Sequence, residues 1–363
     1  MASIQPQDRD GFRVAIICAL PREADAVTLL FDEFWDETSD PYGRADSDTN
    51  IYITGRIGQH NVVLAVLPGM GTNNATATAV NLRTSYRGLK LALIVGVCGG
   101  LPRIAGSDAF LGDVVVSRSV FQYDYTLEEI TKGANKDLRT LLAVGETEFM
   151  RARLRKTAAR YLKHLQQAAK KEKRRARYHY PGAEKDILYS PEYSHKHRHS
   201  CSVCTSDSYV FCEGAAKAPC TEVGCEPTKV LRREREEYLP EGADFIPEIF
   251  IGCVGSGNSV IESGLDRDQI AARHHLIAFE MEGAGVWDEI PTIVIKGICD
   301  YADSHKNKAW QDFAAATAAS VAKAILGRYP ASNVQQPLAP QNGMLLASSC
   351  GMKLTKDRAT RYK

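Results

Sequence analysis

The run Leu91-Ala92-Leu93-Ile94-Val95-Gly96-Val97-Cys98 holds no charged, amide or hydroxyl side chain, and it stops at Gly99-Gly100. A stretch this apolar on both of its alternating faces suits a central strand covered by helices on either side. The segments around it agree. Residues 13–20 form a short apolar run ended by Pro21, and residues 23–30 follow with apolar positions at helical spacing, so a βα unit opens the fold. Residues 51–57 and 61–67 flank Gly58-Gln59 as a hairpin, after which Gly69-Met70-Gly71-Thr72 leads into an alanine-rich helix from Asn74. Strands are predicted at 113–120, 250–254, 277–279 and 292–298, and helices at 266–273, 281–288 and 310–326. Strands alternating with helices specify an α/β fold, mainly of one domain.

The alternation breaks across residues 127–248. Residues 151–177 are dense in Lys and Arg with alanine and leucine between them, which predicts a basic helix, more often a solvated element than a binding site. Residues 178–227 lose periodicity. They hold Pro181, His179, His195, His197, His199 and the cysteines Cys201, Cys204, Cys212, Cys220 and Cys225, and they read as an irregular insertion rather than a second domain. The Gln/Pro/Ser-rich stretch after Pro330 is predicted to be a disordered tail. The boundaries are therefore 12–126 with 249–328 for the α/β domain, 127–248 for the insertion and 329–363 for the tail.

With 363 residues, 44% of them apolar and 25% charged, the chain can bury one large core. Its formal net charge of +1 gives no global reason to expect nucleic acid or membrane as a partner. Residues 1–11 are polar and no stretch approaches the length of a membrane span, so the expected location is the cytoplasm. Cys18, Cys98, Cys253 and Cys299 lie inside apolar runs, where cysteine acts as a small hydrophobe, and that usage suits a reducing compartment.

In open α/β sheets ligands bind beyond the carboxyl ends of the strands, which gives priority to polar residues that immediately follow strands. Glu23, the turn from Gly69 to Thr72, Glu280 with Glu282, and Asp300 all qualify. Each has a structural alternative, since a glutamate in a first helical turn complements the helix dipole and an aspartate after a strand often caps a helix. Convergence of several carboxylates on one cleft would favour chemistry, because crowded like charges are costly unless they act on a substrate.

The strings Ala19-Leu20-Pro21-Arg22-Glu23, Gly69-Met70-Gly71, Gly96-Val97-Cys98-Gly99-Gly100, Phe279-Glu280-Met281-Glu282-Gly283-Ala284 and Ile298-Cys299-Asp300-Tyr301-Ala302-Asp303 together resemble the purine and uridine phosphorylase superfamily. Within it they are most similar to the methylthioadenosine/adenosylhomocysteine nucleosidase-like branch. The resemblance covers roughly 12–125 and 250–326. The ending from Asp300 to Lys308, with the large middle insertion, looks more specifically like the fungal nucleoside phosphorylase-type domains, which often precede ankyrin, tetratricopeptide or NTPase modules. The tail here is too short for such repeats, so the expectation is a stand-alone or truncated member. The implied fold is a three-layer αβα phosphorylase/hydrolase-like architecture with a central mixed sheet, plus the long irregular insertion. The implied state is a homodimer or higher homo-oligomer.

The resemblance implies cleavage of an N-glycosidic bond in a small-molecule purine nucleoside or nucleotide, with no cofactor. It assigns Asp300 to protonating the departing base at N7, a role that requires a shielded carboxyl. Glu282 would hold the ribose hydroxyls, with Met281 packed beneath the sugar. Glu280, Gly71, Thr72, Cys98, Gly99 and Val260 complete the expected substrate contacts. Val260 stands where the bacterial nucleosidases carry a base-stacking phenylalanine, which leaves the base open. Phosphorolysis demands an anion site, yet Ile94 and Val97 stand where related phosphorylases place arginine and serine. Glu23 matches the glutamate that positions the attacking water in the nucleosidases. Hydrolysis is therefore expected ahead of phosphorolysis, although Arg22, Arg44 or Arg56 could restore a phosphate site. A nucleoside-sensing module without activity is the reading from another class, opposed by the presence of Glu23, Glu282 and Asp300 together.

The spacing Cys201-x2-Cys204 with nearby histidines admits a zinc site, but no second Cys-x2-Cys occurs at a standard spacing. The expectation is no metal, with Cys201 and Cys204 as the candidates if there is one. If the substrate carries phosphates, the basic stretch near Arg174, Arg175 and Arg177 is the expected source of cations.

Overall fold

A computed structural model of the chain describes residues 5–124, 131–133, 135–199, 201–206, 212–233, 245–306 and 308–331. The expected boundary at 126/127, Asn307 and the tail from 332 lie outside the described residues.

The strands are β1 (Val14–Cys18), β2 (Glu33–Phe34), β3 (Tyr52–Ile57), β4 (His60–Val66), β5 (Leu91–Gly100), β6 (Arg103–Ile104), β7 (Ser107–Asp108), β8 (Val114–Gln122), β9 (Thr131–Gly133), β10 (Ile249–Ser256), β11 (Leu276–Glu280) and β12 (Thr292–Asp300). The helices are α1 (Pro21–Thr28), α2 (Thr72–Ser85), α3 (Lys136–Gly145), α4 (Glu148–Lys171), α5 (Ser202–Ser206), α6 (Glu213–Lys217), α7 (Cys220–Val223), α8 (Gly264–His274), α9 (Gly283–Val286) and α10 (Gln311–Leu326).

The main sheet runs β11-β10-β8-β12-β5-β1-β4-β3-β2 and is mixed. Parallel pairs join β1 to β4 and β5, β12 to β5, and β10 to β8 and β11, whereas β12 with β8 and β3 with β4 are antiparallel. The far end of β5 also pairs with β11 through Gly99 and Gly100, so β5, β12, β8, β10 and β11 close into a ring. The long strand β5 serves the open sheet with its first half and the ring with its second.

Strand alternation divides the core into two layers. Val14, Ile16 and Cys18 of β1 and Leu91, Leu93 and Val95 of β5 pack toward α1, α4 and α10. Ala15, Ile17, Ala92 and Ile94 face the opposite way, toward α2 and α9. A period of two thus sends successive residues to opposite helical layers, and both must be apolar. The expected three-layer αβα arrangement is what forms.

Helix α10 is buried from Phe313 through Leu326, which its alanine-rich composition permits. Small residues let it approach the sheet closely: a Cβ on Gly297 would sit 2.0 Å from the Ala314 carbonyl oxygen. The predicted basic helix is α4, and it is not wholly solvated. Leu154, Ala158, Leu162, Leu165 and Ala169 form a stripe at helical spacing that joins the core beside α10, while the lysines and arginines face water. The insertion therefore contributes α4, and α3 through Leu138 and Leu142, to the core before becoming irregular. Beyond it, α5, α6 and α7 are each no longer than five residues.

If α4 belongs to the core, Leu162→Ala removes a fully packed side chain and lowers the stability of the main urea transition by about 2–5 kcal/mol. An unchanged midpoint would place α4 outside the cooperative unit.

Candidate functional site

The ring of strands delivers polar residues to one end. Glu23 enters from the first turn of α1, Glu280 closes β11, Glu282 precedes α9 and Asp300 closes β12. Together they line a cleft of about 210 Å³ with Met70, Val97, Cys98, Gly99, Tyr123, Val260, Phe279, Met281 and Lys306. A larger hollow of about 970 Å³ lies around Asp113 and Glu248, where β8 and β10 begin. There Arg155 is paired with Glu248 at 3.0 Å, at the amino ends of β8 and β10 rather than the carboxyl ends where ligands bind in such sheets.

Glu23 is buried, and its carboxylate is held by backbone donors. Its Oε2 accepts from the Ala19 and Leu20 N–H groups at 2.9 Å each, and its Oε1 accepts from Val97 N–H at 2.8 Å. Burial pushes its pKa up, against the opposing pull of Lys296, and the nearby Glu282 charge adds to the rise. The seat exists because residue 96 is glycine: a Cβ there would lie 2.2 Å from Glu23 Oε1.

Lys296 was not singled out from the sequence, and it organises the site. Its ammonium on β12 is buried, 2.8 Å from Glu282 Oε2 and 3.8 Å from Glu280 Oε2. Burial alone would lower its pKa, but Glu282, Glu23 and Glu280 outweigh that and raise it. Burial likewise works against ionised Glu282, yet the Lys296 charge and hydrogen bond, with the Gly71 N–H, bring its pKa below the ordinary value. Burial raises Glu280 to about 7. The readable signal for Lys296 was a lone charge inside an otherwise apolar strand.

The expected contact residues divide. Met281, Cys98, Gly99 and Val260 line the cleft, with Val260 half exposed. Glu280 also borders it, but its oxygens accept from Glu282 N–H and Gly283 N–H and its side chain is fully covered, so it holds the backbone of Glu282. Gly71 and Thr72 are absent from the lining. Gly71 reaches the site through its N–H to Glu282, whereas Thr72 bonds Asn258, whose Oδ1 accepts from Thr72 N–H at 2.9 Å and which does not line the cleft either. Ile94 is buried toward α2 and α9 and lines nothing, so of the two apolar positions only Val97 reports on the cleft. The rings of Tyr123 and Phe279, unanticipated from sequence, meet edge to face at 5.5 Å on its wall.

The proposed sources of cations lie elsewhere. Arg22 pairs with Asp312, Arg56 with Glu33, and Arg174 with Glu172 and Asp25, while Arg44 donates to the Asn50 carbonyl. Neither these nor Arg175 and Arg177 line the cleft; among the described residues its cationic wall residue is Lys306, 4.0 Å from Asp300 Oδ1. Asp300 Oδ1 also accepts from Ala302 N–H at 2.9 Å.

The insertion supports this strand end. Tyr301 donates its hydroxyl to Asp186 Oδ1 at 2.6 Å, and Arg233 pairs with Asp186 at 3.0 Å while its guanidinium lies over the Tyr301 ring. Cys201 and Cys204 gather with His197 and Cys212 outside the cleft. Among the described residues no helix is long and apolar enough to cross a membrane.

The family described as the phosphorylase superfamily matches residues 13–328. A nucleotide-binding leucine-rich repeat (NLR)-like protein of Hyaloscypha variabilis is 31% identical over 334 residues, 89% of this chain; the chain spans 30% of that relative's length. Among solved structures, the 5'-methylthioadenosine/S-adenosylhomocysteine nucleosidase of Neisseria meningitidis aligns over 87% of this chain and 99% of its own, with 16% identity and a TM-score of 0.50. The futalosine hydrolase of Helicobacter pylori aligns over 88% and 98%, with 14% identity and a TM-score of 0.49.

Two measurements check the buried cluster. Lys296→Met leaves carboxylates without their counter-charge and lowers stability by about 3–5 kcal/mol in chemical denaturation. Glu280 is raised from its ordinary 4.5 to about 7, so its contribution is full below the lower value and is lost as pH rises toward the upper one. Glu280→Gln flattens that decline in a pH series of melting curves; an unaltered slope would assign it to another group.

Proposed function

Because the chain belongs to the phosphorylase superfamily, we propose that it cleaves the N-glycosidic bond of a purine nucleoside or nucleotide by hydrolysis. The observation that carries this reading is the meeting of Glu23, Glu282 and Asp300 on one cleft at the strand ends. Three functions are needed at such a bond: a proton for the leaving base, compensation for positive charge on the sugar, and a nucleophile at the anomeric carbon.

Asp300, on the cleft wall at the end of β12, donates a proton to N7 as the bond between C1' and N9 breaks and its electron pair passes to the base. Glu282, kept ionised by Lys296, accepts hydrogen bonds from the ribose hydroxyls and faces the developing oxocarbenium charge. Glu23 Oε1 accepts one backbone hydrogen bond and retains a lone pair for a water molecule. That water's oxygen bonds to C1' while its proton passes to Glu23, whose raised pKa suits it to take one. The products are the free base and the ribosyl hemiacetal. Met281 lies against the sugar, and Tyr123 and Phe279 offer ring surface to the base.

Hydrolysis is favoured over phosphorolysis because no arginine lines the cleft among the described residues, and the carboxylate of Glu23 stands where a phosphate would otherwise approach. Homodimerisation in solution, as the resemblance implies, belongs to the same reading and is checked by light scattering.

Purified protein is incubated with a panel of nucleosides and nucleotides, with and without inorganic phosphate, and base release is followed by chromatography. Turnover independent of phosphate is expected, falling by about 10²–10⁴ in Asp300→Asn with the fold intact. Turnover that requires phosphate would make the enzyme a phosphorylase, and none with any substrate would make it a sensor.

A further inference from the structure

The helices α5, α6 and α7 are too short to persist in water unaided, and the buried apolar support beneath them is Cys204, Ala215 and Val223. So small a cluster cannot offset the entropy of ordering the segment, and small folds in this position depend on cross-links or metals. The side chains gathered around it are of the metal-binding kind.

They form two groups. In the first, His197, Cys201, Cys204 and Cys212 bring one ligand atom each within 4.8 Å of all the others. His197 Nδ1 lies 3.5 Å from Cys204 Sγ and 3.7 Å from Cys212 Sγ, and Cys201 Sγ lies 4.0 Å from Cys212 Sγ. Around tetrahedral zinc, bonds of ~2.3 Å to sulfur and ~2.05 Å to nitrogen give edges of about 3.8 Å between sulfurs and about 3.6 Å between sulfur and nitrogen. The observed separations match those edges. They are far from a disulfide, which requires about 2.05 Å.

The second group stands on a different observation. Both ring nitrogens of His305 are buried without a hydrogen-bond partner, a cost that a metal ligand would remove. His305, His195 and Cys225 bring their ligand atoms within 4.8 Å of one another. His195 Nδ1 is 3.4 Å from Cys225 Sγ and 3.5 Å from Cys220 Sγ. Its Nε2 faces the Ala215 and Ala218 carbonyl oxygens at 2.9 and 3.0 Å, so Nε2 carries the proton and Nδ1 turns its lone pair toward the sulfurs. An outward N–H anchored on carbonyls is the usual support of a ligating histidine.

We propose that the insertion holds two structural zinc ions, one on His197, Cys201, Cys204 and Cys212 and the other on His195, Cys220, Cys225 and His305. Thiolate and imidazole donors without carboxylates select zinc over calcium or magnesium. Each of the five thiols loses its proton on binding, and no electron is transferred. The second ion bridges the insertion to the segment between Asp300 and Lys306, where Ser304 Oγ already accepts from His195 N–H at 2.8 Å. It thereby fixes the segment that carries Lys306 to the cleft wall, independently of which reaction the cleft performs.

The full chain, purified without chelators, is analysed by inductively coupled plasma mass spectrometry, with about two zinc ions per chain expected. Cys204→Ser and His305→Asn should each lower that count by about one. X-ray absorption of the unaltered protein should show mixed sulfur and nitrogen coordination at about 2.3 and 2.05 Å, which keeps the test independent of how the variants fold. Thiol titration in denaturant with chelator should recover all ten cysteines. Metal-free protein that takes up no zinc on addition, zinc ligated by oxygen, or missing thiols that mark disulfides would overturn the proposal.

Discussion

A buried ammonium, that of Lys296, stands among the buried carboxyl groups of Glu23, Glu280 and Glu282. Burying an ion costs several kcal/mol even after relaxation, and crowded carboxylates repel one another, so neither partner would tolerate this position alone. The cation holds Glu282 ionised at 2.8 Å, while burial raises the pKa of Glu23 and of Glu280 against the pull of the same lysine. Glu280 then accepts from the N–H groups of Glu282 and Gly283, so the orientation of the Glu282 carboxylate depends on that of Glu280.

The fold brings these groups together by splitting the duties of β5. Its first half is an ordinary central strand, and its second half bends into the ring with β11, which returns Glu280 and Glu282 to the neighbourhood of Asp300 on β12. Gly96 sits at the changeover, and its missing side chain is the space that Glu23 occupies. Backbone geometry, rather than any side chain contact, therefore sets the distance between the groups from the start and the end of the chain.

Much of this was legible in the sequence because strands buried on both faces announce themselves, as residues 91–98 do, and because polar residues at their ends are few. Glu23, Glu282 and Asp300 were found by that rule. Lys296 was not, since a strand's interior is where periodicity predicts apolar side chains, and its partners lie on other elements. Ile94 was misjudged for a related reason: spacing along β5 does not tell which residues rise above the sheet and which sink into it. The basic segment was legible as a helix, but its Leu and Ala stripe was masked by the surrounding charge. The cysteines of the insertion escaped the spacing rules because their histidine neighbours come from before the cluster and, for His305, from the far side of the chain.

The contact between the insertion and Tyr301 bears on how such chains can be recombined. Asp186 and Arg233 grip the residue that directly follows Asp300, so the segment is not a removable ornament on a finished α/β domain. Without this insertion Tyr301 would lose the carboxylate of Asp186 and the guanidinium of Arg233 that hold it. Any exchange of the insertion therefore has to keep Tyr301, Asp186 and Arg233 together, three residues drawn from separate stretches of the chain.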